Sequence, residues 1–207
     1  MRLRMGSLLW LLLAGCGFFG FVMLAGRVHQ PGFTAQDFAL TQQFHHDEGG
    51  ALDTILIVLG EFGRSILVFI VLELVVWLGL RRQWRELVAL LAVVCGAFAL
   101  NEVVRHALAA PRIPLHAPFV PIRDTGFPSG HAMMSTVLYG LLLWAAFPRI
   151  PRELRLAAVL GVVGLVLVVG YTRMFFGDHY LSDVLGGYTL GMSWLAACIA
   201  MLNWRGR

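Results

Sequence analysis

Apolar runs long enough to cross a bilayer recur along this chain, and they constrain its fold more than any other feature. They fall at about 6–26, 64–80, 86–104, 130–147, 156–172 and 181–203, with Arg, Pro, Asp and His collected between them. A spanning helix needs about 20 predominantly apolar residues, so 207 residues hold six spans and short connections, with no room for a second folded domain. Residues 1–207 are therefore expected to form one all-α, membrane-embedded domain. Composition agrees: 58% of residues are hydrophobic and 14% charged, whereas soluble domains run near 25% charged. Ala51–Gly60 is apolar but too short to span, and Glu61-Phe-Gly-Arg64 interrupts it, so it is expected to be an interfacial lead-in to the second span.

The formal charge of +4 is carried by sixteen Arg and no Lys, in small groups between apolar runs, which is a topology signal and not a nucleic-acid surface. Arg2, Arg4, Arg81, Arg82, Arg85, Arg149, Arg152, Arg155, Arg205 and Arg207 share one side of the membrane. By the positive-inside rule both termini are expected in the cytoplasm. The other, outward side holds Arg27, Arg64, Arg105, Arg112, Arg123 and Arg173 together with all seven His. Cys16, Cys95 and Cys198 sit in apolar stretches without disulfide or zinc spacing. The start of the chain resembles a lipoprotein signal ending at Cys16, but the apolar run continues through Leu24, so an uncleaved helix is expected. The polar segment 27–50 is expected to be helical from about Phe33 to Phe44, with no role assigned.

Three outward clusters carry the chemistry. They are Arg105 to Pro114 after span three, Phe127-Pro-Ser-Gly-His131 leading into span four, and Thr172 to Asp183 between spans five and six. Arg105, Arg112 and Arg173 are permanently charged forks that match phosphate oxygens. Ser129, Gly130 and His131 open a helix, where free backbone N–H groups and the helix dipole favour an anion, and Gly130 lets an oxyanion approach closely. His179 and Asp183 are four apart on one helical face, so the carboxylate can hold one ring nitrogen and leave the other aimed outward as a nucleophile. His131, on a different span, can give a proton to the departing alkoxide. Together these specify phosphoryl transfer through a phosphohistidine, with no metal and no cofactor required.

In these motifs the chain resembles the phosphatidic acid phosphatase type 2 superfamily, which is also similar to vanadium haloperoxidases. The superfamily signature is a Lys six residues before Arg-Pro, then Pro-Ser-Gly-His, then Ser-Arg, five residues, His, three residues, Asp. Here stand Arg105 with Arg112-Ile113, then Pro128-Ser129-Gly130-His131, then Thr172-Arg173 with His179 and Asp183. The resemblance implies that Arg105, Arg112, Ser129, Gly130 and Arg173 bind phosphate, that His179 attacks phosphorus, that Asp183 orients it and that His131 protonates the leaving oxygen. Arg105, Ile113 and Thr172 depart from the signature, which bears on substrate subclass more than on the reaction.

The expected activity is removal of a terminal phosphate from a membrane lipid at the outer ends of spans three, four and six. Undecaprenyl diphosphate, phosphatidylglycerophosphate and phosphatidate all fit; the compact chain and outward site favour the polyprenyl diphosphate. A lipid phosphotransferase using the same phosphohistidine, with an acceptor such as lipid A, and a non-catalytic lipid-binding or transport module are the alternatives. The expected partners are the lipid substrate and the bilayer; oligomeric state stays open. Arg27, Arg64 and Arg123 are read as head-group anchors, and His45-His-Asp-Glu48 as a solvated loop. His106, His116, Asp124 and Asp178 are expected near the site. Glu102 is expected to pair with Arg105 or His106, and Glu73, midway along span two, to be hydrogen-bonded between helices. Gly187 and Gly191 are expected to permit close helix packing within one subunit.

Overall fold

A computed structural model describes residues 5–45, 51–110 and 126–205. They form helices α1 (Met5–Ala25), α2 (Pro31–Gln42), α3 (Ala51–Glu61), α4 (Ser65–Leu80), α5 (Trp84–Leu108), α6 (Gly130–Ala146), α7 (Arg152–Phe175) and α8 (Leu181–Arg205), with a short 3-10 turn at Phe147–Arg149. Among the described residues there is no strand. Six helical stretches are long and apolar enough to cross a membrane: Gly6–Ala25, Asp53–Leu80, Trp84–Leu108, Gly130–Arg149, Arg152–Phe175 and Leu181–Asn203. The described residues are nearly all helical, and the chain is a multi-pass membrane protein.

The second of these stretches contains both the expected lead-in and the expected span. It takes in α3 as well as α4, with a break at Phe62–Arg64. The break has a packing reason: α3 turns against α7 while α4 packs against α5. Gly63, at the bend, lies against Val169 of α7 and the Cβ of His131 on α6. The Tyr139 hydroxyl of α6 donates to the Phe62 carbonyl and holds the bend from the other side.

α8 is the axis of the bundle. Of the apolar window of each span, 56% is buried in α8 and 44% in α6, against 11% in α1 and α7, whose outer faces are left to lipid. Small residues let α8 approach its neighbours. A Cβ on Gly187 would stand 2.5 Å from the Ser129 carbonyl oxygen and 2.9 Å from the Cβ of Ala132, and one on Gly191 would stand 2.9 Å from the Met133 carbonyl oxygen. These two glycines therefore hold α6 and α8 together inside one subunit. On its other flank α8 takes α1, where the Ser193 hydroxyl donates to the Ala14 carbonyl at 2.9 Å.

Within α4, Leu67 and Leu78 point inward and are buried. Glu73 falls on the opposite, exposed face beside Phe69 and Trp77. The helical register thus turns Glu73 outward, contrary to the expectation that it bonds between helices.

Candidate active site

The C-terminal ends of α5 and α7 and the N-terminal ends of α6 and α8 meet at one end of the bundle. Each brings one part of the expected site there, for a local reason.

The α6 end is built by Phe127 to His131. Phe127 is fully buried and stacks on Phe21 of α1 at 5.6 Å between ring centroids, pinning the residues before the helix. The Phe127–Pro128 peptide is cis. Ser129 is the N-cap, in extended conformation, and its hydroxyl accepts from the Ala132 N–H at 3.5 Å. Its own N–H donates to the Asp183 carbonyl at 2.9 Å. Ser129 is wholly buried, so the expectation that its N–H points outward is corrected: the close approach of α8 at Gly187 directs that N–H into the bundle. At the first turn of a helix the earliest N–H groups have no intrahelical acceptor. Those of Gly130 and His131 stand at this first turn, where the helix dipole favours negative charge.

At the α8 end, His179 Nδ1 lies 3.5 Å from Asp183 Oδ2. Asp183 is fixed by its surroundings: Oδ2 accepts from the Tyr180 N–H at 2.9 Å and the side chain is 1% exposed. Asp178, adjacent in sequence, is 51% exposed and is held elsewhere, accepting from Arg173 Nη1 at 3.0 Å. Proximity and burial place Asp183, not Asp178, beside the imidazole, whose Nδ1 makes no hydrogen bond among the described residues. With Nδ1 on the Asp183 side, Nε2 is the ring nitrogen on the far side from that carboxylate.

Arg173 ends α7. Its Nε donates to Thr172 Oγ1 at 3.2 Å, and that hydroxyl donates to the Val169 carbonyl at 2.7 Å. Its guanidinium passes over Gly60 of α3, where any side chain would collide with it. Gly177, with φ of 72°, makes the left-handed step that turns the chain from Arg173 back to His179.

Arg105 ends α5 and is ion-paired with Glu102, whose main-chain carbonyl is 2.7 Å from His106 Nδ1. Arg105 Nε is buried and has no hydrogen-bond partner among the described residues. Asn101, one turn earlier and 2% exposed, sets its Oδ1 against Gly130, which joins α5 to the start of α6.

Arg105, Ser129, Gly130, His131, Arg173, His179 and Asp183 therefore stand on four helix ends that share one end of the bundle. Arg112 lies outside the described residues, as do His116, Arg123 and Asp124. His131 is within electrostatic reach of Arg173, His179 and Arg64. Arg64 lines one groove with His131, and Arg64 and Glu61 both lie within electrostatic reach of Arg173. The available signal for both was their position flanking the interruption Glu61-Phe-Gly-Arg64. His45 is half-buried and its Nδ1 lies 2.8 Å from the Phe175 carbonyl oxygen, while the rest of that expected solvated loop, residues 46–48, lies outside the described residues. Among the described residues no group of three or more His, Cys, Asp or Glu side chains is arranged to hold a metal ion.

A groove of about 420 Å³ runs down from this end between α4, α5 and α6. Arg64, Glu102, Gly130 and His131 form its polar mouth, and Leu67, Val71, Val94 and Phe98 its apolar floor and walls.

Residues 86–207 match the PAP2 superfamily. The chain is 27% identical over 184 residues to phosphatidylglycerophosphatase B of Bacillus subtilis, covering 84% of this chain and 87% of that protein. It is also 27% identical over 183 residues to undecaprenyl-diphosphatase of Sulfolobus acidocaldarius, covering 85% of this chain and 81% of that one. The crystal structure described as the first transmembrane PAP2 type phosphatidylglycerolphosphate phosphatase from Bacillus subtilis has the same fold. Its TM-score is 0.81 at 23% identity, with 94% of this chain and 98% of that chain covered. The chain belongs to the PAP2 superfamily, and its class is that of the membrane-embedded lipid phosphatases.

Proposed function

We propose that the chain hydrolyses a terminal phosphate from a membrane lipid at the outward end of the bundle, through a phosphohistidine on His179. One observation carries this reading: a buried His–Asp pair, a second His, two Arg and a helix N-terminus stand at one end of the bundle, and the second His and that N-terminus also line a groove between α4, α5 and α6. In the first step His179 Nε2 forms a bond to phosphorus as the bond to the lipid oxygen breaks, and His131 passes its proton to that oxygen. Arg105, Arg173 and the N–H groups of Gly130 and His131 take up charge on the equatorial oxygens. Ser129 holds the shape of that cradle, and Arg112 supplies a further guanidinium. In the second step water attacks phosphorus, His131 accepts its proton, the N–P bond breaks and inorganic phosphate leaves. Asp183 keeps the imidazole oriented and balances its positive charge.

The groove admits the lipid from the side, with its tail against Leu67, Val71 and Phe98 and its head group at Arg64 and His131. A diphosphate lipid, a phosphatidylglycerophosphate and a phosphatidate all meet these requirements, and relatives named for the first two are at equal identity. The test is phosphate release from that panel without an added acceptor, together with a short-chain soluble phosphate, for wild type and His179→Ala. The expected results are free phosphate from wild type, preference for the long-chain lipids, and a loss of roughly 10³-fold or more in His179→Ala. Unchanged turnover in His179→Ala overturns the reading. Release only when an acceptor lipid is present makes the chain a transferase.

A further inference from the structure

The first N–H groups of α8 need acceptors, because no earlier turn supplies them. One comes from within, since Tyr180 donates to Asp183 Oδ2. The next two come from α2, about 140 residues earlier in the chain. The Leu181 N–H donates to Thr41 Oγ1 at 2.9 Å, and the Ser182 N–H to Asp37 Oδ1 at 3.0 Å. The Ser182 hydroxyl donates to Asp37 Oδ2. Thr41 is tied back to the same acid, its hydroxyl donating to the Asp37 carbonyl at 2.7 Å.

Asp37 is 5% exposed and Thr41 fully buried, so this is no solvated contact. A carboxylate at a helix N-terminus is placed where the dipole favours it. Two further contacts clamp the same turn: Phe38 packs on Tyr180 at 5.9 Å between ring centroids, and His45 reaches the Phe175 carbonyl. The turn so held carries His179, and the helix start so capped carries Asp183. α2 lies outside residues 86–207, the part of the chain that the family model matches.

We propose that Asp37 is a positioning residue: by capping α8 from α2 it fixes the His179 imidazole against Asp183 at the distance and angle that attack on phosphorus requires. The proposal rests on His179 being the nucleophile. Misplacement of a reacting group by about 1 Å can cost on the order of a hundredfold in rate, so an indirect contact of this kind has a large effect on turnover.

Full-length Asp37→Ala, Asp37→Asn, Ser182→Ala and Thr41→Val are compared with wild type for kcat, KM and the rate at which diethyl pyrocarbonate modifies His179, read by mass spectrometry. Asp37→Ala is expected to lower kcat by about tenfold to a hundredfold with KM within about twofold. It is expected to speed modification of His179 several-fold. Asp37→Asn keeps hydrogen-bonding capacity and is expected to recover much of both. Ser182→Ala removes one of these bonds and Thr41→Val two, and each is expected to show a smaller loss of the same kind. They decide the matter if Asp37→Ala does not accumulate as folded protein. Wild-type kcat and wild-type His179 reactivity in these variants, or a loss confined to thermal stability, overturns the proposal. An active His179→Ala fails the underlying reading instead, and the modification rates still report whether Asp37 holds the ring.

Discussion

Arg105 and Arg173 each stand beside an acid, Glu102 and Asp178, and each keeps donors beyond that pair. A guanidinium has five N–H groups in a fixed plane, so it can hold a carboxylate on one edge and a phosphate oxygen on another. Arg105 Nε, buried and without a partner among the described residues, is such a donor. The superfamily signature has Lys where this chain has Arg105, and a Lys is a point charge without a second edge. Arg105→Lys is therefore expected to lower kcat/KM by less than about tenfold, while Arg105→Ala lowers it by roughly a hundredfold, about 3 kcal/mol of transition-state stabilisation. Steady-state kinetics on one lipid phosphate check this. Equal losses in the two variants would show that the fork, and not the charge, is what the phosphate site uses.

Between the helices, the spacing of α6 and α8 sets the distance between His131 and the His179–Asp183 pair, and Gly187 is the residue that permits it. Gly187→Val places carbon atoms where the Ser129 carbonyl and Ala132 now stand. Overpacking of this kind costs typically 1–3 kcal/mol. A lower midpoint of thermal unfolding in detergent is expected, together with a loss of activity greater than the stability change explains, because the Ser129 to Asp183 bond is strained at the same place. Unaltered activity at a lowered midpoint would separate packing from catalysis. The six apolar runs and the Gly187/Gly191 packing were legible in the chain because they depend on local period and residue size. The N–H of Ser129 was not, since its acceptor is a carbonyl on another helix brought near only by tertiary packing. The placing of Arg64 was hidden for a similar reason: the bend at Phe62–Arg64 sets it on one groove with His131, and that bend answers to contacts of α3 with α7 and of α4 with α5. The side on which Glu73 falls follows from register, which an apolar run does not reveal when nearly every neighbour is apolar.

For the molecule as a whole, the bundle does two things. It gathers charged groups from four helix ends at one end, and it leaves a groove between α4, α5 and α6 that on the proposed reading lets a lipid present its phosphate without leaving the bilayer. The chemistry at that end is the central claim, and the stereochemical course at phosphorus tests it most directly, since two in-line displacements and one displacement by water give opposite results. Wild-type protein is supplied with a lipid phosphate made chiral by oxygen isotopes and sulfur, and the configuration of the released thiophosphate is read by phosphorus NMR. Retention of configuration is the expected result, because attack by His179 and then by water inverts phosphorus twice. Net inversion would mean that water attacks the lipid phosphate directly, and would contradict the phosphohistidine account.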